Sequence, residues 1–167
     1  FLGLSVDTVA NIGAYVSTFG AGIPSAIYSA LLAGVYRTPA IAARSTGVFT
    51  NTVPTDAYRG AGRPEACYVL ERLADEAALA LGMDRAEIRR RNLVPVEAMP
   101  YKTPIGPTYD CGNFPKVFSR LLEVADYQGF AKRKSAAMRL SKLRGFGLAC
   151  YVESSGVAPS RMAAALG

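Results

Sequence analysis

Ala57-Tyr58-Arg59-Gly60-Ala61-Gly62-Arg63-Pro64-Glu65 runs without a break into Ala66-Cys67-Tyr68-Val69-Leu70-Glu71-Arg72-Leu73. The first stretch is a glycine-spaced loop with two arginines. The second is helix-forming. Pro64 suits the first helical position, where a missing N–H leaves no intrahelical acceptor unserved. The loop can therefore aim backbone N–H groups, reinforced by the helix dipole, at an anionic or oxo group. Gly60 and Gly62 let a ligand approach the main chain with no Cβ in the way. A strand before the loop and a helix after it define an α/β unit (α+β mixed).

Working outward, Glu65 to Leu81 reads as a helix with Ala66, Val69, Leu70, Leu73, Ala77 and Ala80 on its buried face. Glu71, Arg72, Asp75 and Glu76 are expected mostly opposite. Gly82 ends it, and Asp84 with Glu87 forms a capping-box pair opening a second helix to about Leu93. Upstream, Phe1 to Val16 is apolar and β-branched and holds one or two strands. Thr18 to Pro24 is a turn, Ser25 to Gly34 a short helix, and Val35 to Asn51 extended. Downstream, Pro95 to Pro115 carries five prolines with Gly106 and Gly112 and forms a connecting arm. Helices follow at Pro115 to Val124 and Gln128 to Lys142. Arg144 to Glu153 reads as a strand opening a new sheet. The chain enters a strand at once from Phe1 and finishes at Arg161 to Gly167 with no closing element, which reads as a piece of a longer polypeptide.

The composition of the 167 residues is globular, half apolar and a fifth charged. The net charge of +6 raises nucleic acid as a partner. Ten of the nineteen basic residues, however, fall in the helix-like stretches Arg85 to Arg91 and Lys132 to Arg144. Nucleic-acid binding is therefore not the expectation. The most apolar stretch, Ile23 to Val35, is too short to span a membrane and contains Pro24. Cys67, Cys111 and Cys150 are odd in number and widely spaced, which indicates neither a disulfide framework nor a zinc site and is compatible with a cytoplasmic location. Histidine is absent, so the triads and metal sets that depend on it are excluded.

Arg59 and Arg63 read singly as solvated side chains, and as a pair as two guanidinium groups for phosphate oxygens or a metal-oxo ligand. Glu65 fits an ordinary first-turn carboxylate. Tyr58 either donates to a ligand or packs. The run Arg89-Arg90-Arg91-Asn92 reads as a solvated or salt-bridging face, and Cys150 and Tyr151 by themselves as core residues.

An ordered series of landmarks then narrows the reading. These are Phe49-Thr50-Asn51-Thr52, the Ala57 to Glu65 loop, Glu87 to Leu93, the arm from Met99 (M-P-Y-K-T-P-I-G), Tyr109-Asp110, and Gly145 to Glu153. In this series the chain resembles the large, molybdopterin-binding subunit of the molybdenum hydroxylases: xanthine dehydrogenases, aldehyde oxidases and carbon monoxide dehydrogenases of the second form. The resemblance implies a fragment spanning the junction of two molybdenum-cofactor-binding domains. Residues 1–97 would end the first, and residues 98–167 would be the connector and the start of the second.

The resemblance also implies molybdenum held by molybdopterin cytosine dinucleotide rather than by side chains, so that a chain without histidine can serve a metal. Tyr58, Arg59, Gly60, Ala61, Gly62 and Arg63 would contact the cofactor. Ile27, Ala61, Cys150 and Tyr151 would line the substrate pocket. FAD and iron–sulfur clusters would sit on partner subunits. In carbon monoxide oxidisers a copper-binding cysteine occupies the position of Gly60, so its absence argues against that substrate. Ile27 stands where purine oxidisers have an arginine, and Ala61 and Cys150 stand at their aromatic positions; an aldehyde or N-heterocycle fits better. The glutamate base of the family falls outside these residues, so the isolated chain is expected to be inactive. The alternatives are a stand-alone basic anion- or nucleotide-binding module and an inactive gene remnant.

Overall fold

In a computed structural model of the protein, residues 1–153 are described; Arg161 to Gly167, where no closing element was expected, lie outside them. The architecture is mixed helix and strand. Strand β1, Leu4–Gly13, pairs in parallel with β2, Ile41–Phe49, from Leu4 opposite Ile41 onward. The expected one or two strands in the first sixteen residues are thus one. Leu4, Val6, Ile41 and Ala43 turn inward from the alternating strands onto a core of Tyr28, Leu32 and Ala66.

The crossover between the strands departs from the expected helix over Ser25 to Gly34. It holds a π-turn, Ile23–Ile27, and a single α-turn, α1 at Tyr28–Ala30. The Ile27 N–H reaches back five residues to the Gly22 carbonyl at 3.1 Å. Pro24 stands in the opening turn, where its missing N–H leaves no intrahelical acceptor unserved, and the widening lies in the Ile27-to-Gly22 bond.

Helix α2 spans Arg63–Ala80 and α3 spans Arg85–Asn92. The expected burial of α2 is partly wrong. Its buried residues are Ala66, Glu71, Ala74 and Ala78, whereas Leu73 is about half exposed. Glu71 and Asp75 turn toward α3 because Arg89 receives them; an ion pair, not hydrophobicity, sets this face. Arg89 is correspondingly fully buried, while its neighbours Arg90 and Arg91 are solvated and pair with Glu87. The Asp84 side chain accepts from the Ala86 and Glu87 N–H groups at 2.9 and 3.0 Å. Only this half of the capping box forms, since the Glu87 carboxylate is taken by the two arginines.

The proline-rich arm contains a small antiparallel pair, β3 at Tyr101–Lys102 and β4 at Thr108–Tyr109, which its composition did not reveal. The arm docks on the crossover. Tyr109 donates its hydroxyl to the Gly34 carbonyl at 2.7 Å, and Gly106, at φ +95°, lies against the Ala30 carbonyl so closely that a Cβ would come within 2.1 Å of it. Helix α4 spans Phe114–Val124, capped by the Asn113 side chain on the Lys116 N–H, and α5 spans Phe130–Arg139, shorter than expected.

The expected strand from Arg144 to Glu153 is not formed: among the described residues it has no ladder partner. Its alternation is real, however. Leu148, Cys150 and Val152 turn in against the core of Val35, Tyr36, Ala86, Leu93 and Phe118. No helix among the described residues is long and apolar enough to cross a membrane.

Candidate functional site

The loop before α2 is built by its glycines. Gly60 and Gly62 both have positive φ, +82° and +86°, where a side chain is strained. Two tight turns result: the Ala61 N–H donates to the Tyr58 carbonyl at 2.9 Å, and the Arg63 N–H to the Gly60 carbonyl at 3.0 Å. Two N–H groups are therefore spent inside the loop. Those of Gly60 and Gly62 have no acceptor among the described residues. The glycines serve different ends. Gly62 is buried against Ile27, and a Cβ there would come within 2.7 Å of the Ile27 Cγ2. Gly60 faces open space, with nothing within 4 Å of such a Cβ.

The two arginines part company. Arg59 is exposed and lines a hollow of about 390 Å³ with Ala10, Asn11, Thr55, Asp56, Tyr58, Ala61 and Glu65. This hollow lies past the carboxyl end of β1, the place where open α/β sheets bind ligands. A hydroxyl and amide cluster stands beside it. Asn11 donates to the Thr52 hydroxyl at 3.1 Å and accepts from the Thr50 hydroxyl at 2.7 Å and the Gly13 N–H at 2.8 Å. Asn11 was not singled out by sequence, because a polar residue inside a strand signals nothing by itself; Thr50 and Thr52 were visible only as landmarks.

Arg63 turns the other way. It lines a groove of about 270 Å³ with Leu31, Gly34, Cys67, Leu70, Cys150, Tyr151, Val152 and Glu153. Its buried Nε lies 3.0 Å from the Glu153 Oε1, at an angle that makes an ion pair but no hydrogen bond. So Arg63, Cys150 and Tyr151 are brought together, apart from Arg59, and Glu153 joins them unforeseen. Ile27 packs under Gly62.

Both groove thiols are held protonated. Burial first, and the Glu71 carboxylate second, push Cys150 up to about 12 and raise Cys67 as well. All three cysteines are free. No cluster of three or more metal-ligating side chains occurs among the described residues. The free backbone N–H groups and the Arg59 guanidinium suit an anionic or oxo-bearing group.

The family model for the molybdopterin cofactor-binding domain matches residues 1–93, which contain β1 and β2, the loop and α2 with α3. The chain belongs to that family. Over 99% of its length it is 35% identical to the carbon monoxide dehydrogenase large chain of Hydrogenophaga pseudoflava, of which it covers 21%. It is 37% identical, over 78% of its length, to the nicotine 6-hydroxylase large subunit of Paenarthrobacter nicotinovorans, of which it covers 16%. The crystal structure of quinoline 2-oxidoreductase from Pseudomonas putida 86 superposes with a TM-score of 0.71 at 31% identity, over 82% of this chain and 18% of that one. The chain thus spans about a fifth of the length of the relatives it matches.

Proposed function

We propose that the chain is part of the large subunit of a molybdenum hydroxylase, an oxidoreductase that hydroxylates an aldehyde or an N-heterocycle with oxygen from water. The observation that carries this reading is the loop from Tyr58 to Arg63. Gly60 opens its backbone to a bulky group, and two main-chain N–H groups are unspent in the loop that carries the exposed Arg59 guanidinium. The residues fit an oxo- and phosphate-bearing cofactor: the donors present are those an anion needs, and a Cβ at Gly60 would occupy the space left for it.

In this reading Tyr58, Arg59, Gly60, Ala61, Gly62 and Arg63 hold molybdopterin, as the cytosine dinucleotide. When bound, that group supplies the molybdenum centre for hydroxylation and two-electron transfer. The chain's own part is to orient it. Gly62 seats the loop on Ile27, Arg59 offers positive charge past the end of β1, and Arg63 fixes the wall formed by Cys150 and Tyr151. FAD and iron–sulfur subunits would carry the electrons away in a cytoplasmic hetero-oligomer. The domain boundary would fall near Glu97, with residues 98–167 the connector and the start of the second cofactor-binding domain. Gly60 in place of a thiolate argues against a copper-dependent carbon monoxide activity, and the 167 residues alone would turn nothing over.

The test is a screen of aldehydes and N-heterocycles with the complete enzyme in ¹⁸O-labelled water. Turnover with ¹⁸O in the product supports the reading, and carbon monoxide oxidation without hydroxylation contradicts it. A polynucleotide affinity that collapses between low and moderate salt would instead favour the anion-binding module.

A further inference from the structure

The groove beside Arg63 has one wall that no secondary structure supports. Residues 148–153 carry Cys150, Tyr151 and Glu153 but belong to no helix or sheet among the described residues. Among the described residues, side-chain contacts and not a hydrogen-bonded ladder hold them over α2. One polar contact to this stretch is made by Arg89, a fully buried guanidinium at its far end.

Arg89 is itself held in place. Its Nε donates to the Glu71 Oε2 at 2.8 Å, its Nη1 to the Arg85 carbonyl at 3.0 Å, and its Nη2 to the Glu71 carbonyl at 3.1 Å. Asp75 stands 2.9 Å from Nη1, and the Tyr36 hydroxyl donates to the other Glu71 oxygen at 2.5 Å. The remaining reach of Nη2 is to the Leu148 carbonyl, 3.2 Å away and 59 residues downstream. A planar guanidinium with five donors can satisfy all of these at once, whereas an ammonium cannot.

We infer that Arg89 is a positioning residue: locked to α2 by Glu71, it clasps Leu148 and so docks the Cys150–Glu153 wall of the groove against Arg63. The Arg63–Glu153 pair is the second clasp, at the other end of the same wall. This inference extends the proposed cofactor site, but its geometry and its readout involve no cofactor. A wild type that carries no molybdenum, yet shows the expected change in Cys150 labelling on Arg89→Lys substitution, would count against the functional reading alone.

The experiment is alkylation of the complete protein by iodoacetamide, followed by mass spectrometry at each cysteine, for wild type and Arg89→Lys. Lysine keeps the charge for Glu71 and Asp75 but gives up the fork to Leu148. Cys111, which is exposed, is the internal control, and thermal unfolding reports global stability. The groups facing the Cys150 thiol are Glu71, Cys67 and Arg89, with Tyr36 beyond.

In Arg89→Lys, Cys150 is expected to react about tenfold faster at neutral pH, with its rate profile moving to lower pH, while Cys111 is unchanged. Unchanged Cys150 labelling in folded Arg89→Lys overturns the inference, as does an equal rise at every cysteine. If Arg89→Lys does not fold, Tyr36→Phe loosens Glu71 alone. It is expected to raise Cys150 labelling by a smaller factor, and no rise there is equally fatal.

Discussion

Arg89 and Glu71 meet side chain to side chain across two neighbouring helices, Nε to Oε2 at 2.8 Å, with both residues out of water. Burial, the largest single influence, would weaken the charge on the guanidinium, but Glu71, Tyr36 and Asp75 together outweigh it and raise the Arg89 pKa. Burial, followed by the same carboxylate, also lifts the Tyr36 hydroxyl above the ordinary tyrosine range. The three groups form one unit whose charges compensate each other. Removing one partner therefore costs more than the pair contributes.

Glu71→Ala is expected to destabilise the protein by about 3–5 kcal/mol, because it leaves a buried guanidinium unpaired. Replacing both members, as Glu71→Leu with Arg89→Met, should recover most of that loss. Urea unfolding of the single and double variants measures it. A double variant as unstable as Glu71→Ala would show that the charge is not the issue.

Asp84 links the cap of α3 to the turn after α4, accepting from the Tyr127 hydroxyl at 2.6 Å. Its burial opposes the charge, but the Tyr127 hydroxyl, the Glu87 and Ala86 N–H groups and Arg90 together hold the carboxyl below its usual range. A lowered pKa means the folded state favours the anion. The stabilisation is full above the ordinary aspartate value of about 3.9 and is lost as the pH falls through the lower folded value. Asp84→Asn should remove that part of the acid sensitivity. Acid unfolding curves that coincide for both proteins would rule it out.

The two loop glycines should respond differently. Gly62→Ala meets both positive φ and the Ile27 side chain, so a loss of stability of about 2–3 kcal/mol is expected. Gly60→Ala meets only the strain, about 1 kcal/mol, but fills the space facing the proposed cofactor. Turnover should therefore fall far more than thermal stability for Gly60→Ala. Equal losses of activity and stability at both positions would remove the distinction.

Gly106→Ala would drive a Cβ into the Ala30 carbonyl, at 2.1 Å, and should lift the arm from the crossover. Limited proteolysis should then cut between residues 103 and 108 faster than in the wild type. An unchanged digestion pattern would show that the arm is held elsewhere.

The sequence made the loop, α2, α3 and α4 legible, because glycine spacing, Pro64, Asp84 and apolar periodicity are local signals. It misassigned the face of α2. Glu71 and Asp75 look solvated until Arg89 is placed opposite them, and that pairing is tertiary. The crossover was read as an ordinary helix because nothing local in Ile23 to Ala30 distinguishes a bond reaching back five residues from one reaching back four. The segment 144–153 has the alternation of a strand, but alternation shows which side chains turn inward and not whether a neighbouring strand exists. In the candidate site, Arg59 and Arg63 were expected to act as a pair, yet the two positive-φ glycines between them turn their side chains into separate hollows. Glu153 stood only as the end of a landmark, and its pairing carried no local signal, since Arg63 lies ninety residues upstream.

The central claim is that the loop from Tyr58 to Arg63 serves a molybdenum cofactor, and the most direct measurement is the cofactor content of the protein purified with all its subunits from its natural source. The account predicts stoichiometric molybdenum by elemental analysis and a matching release of cytidine monophosphate on acid hydrolysis. Gly60→Ala should lower both while the polypeptide stays folded. A folded wild-type protein from cells replete in molybdenum, carrying neither metal nor cytidine nucleotide, would contradict it.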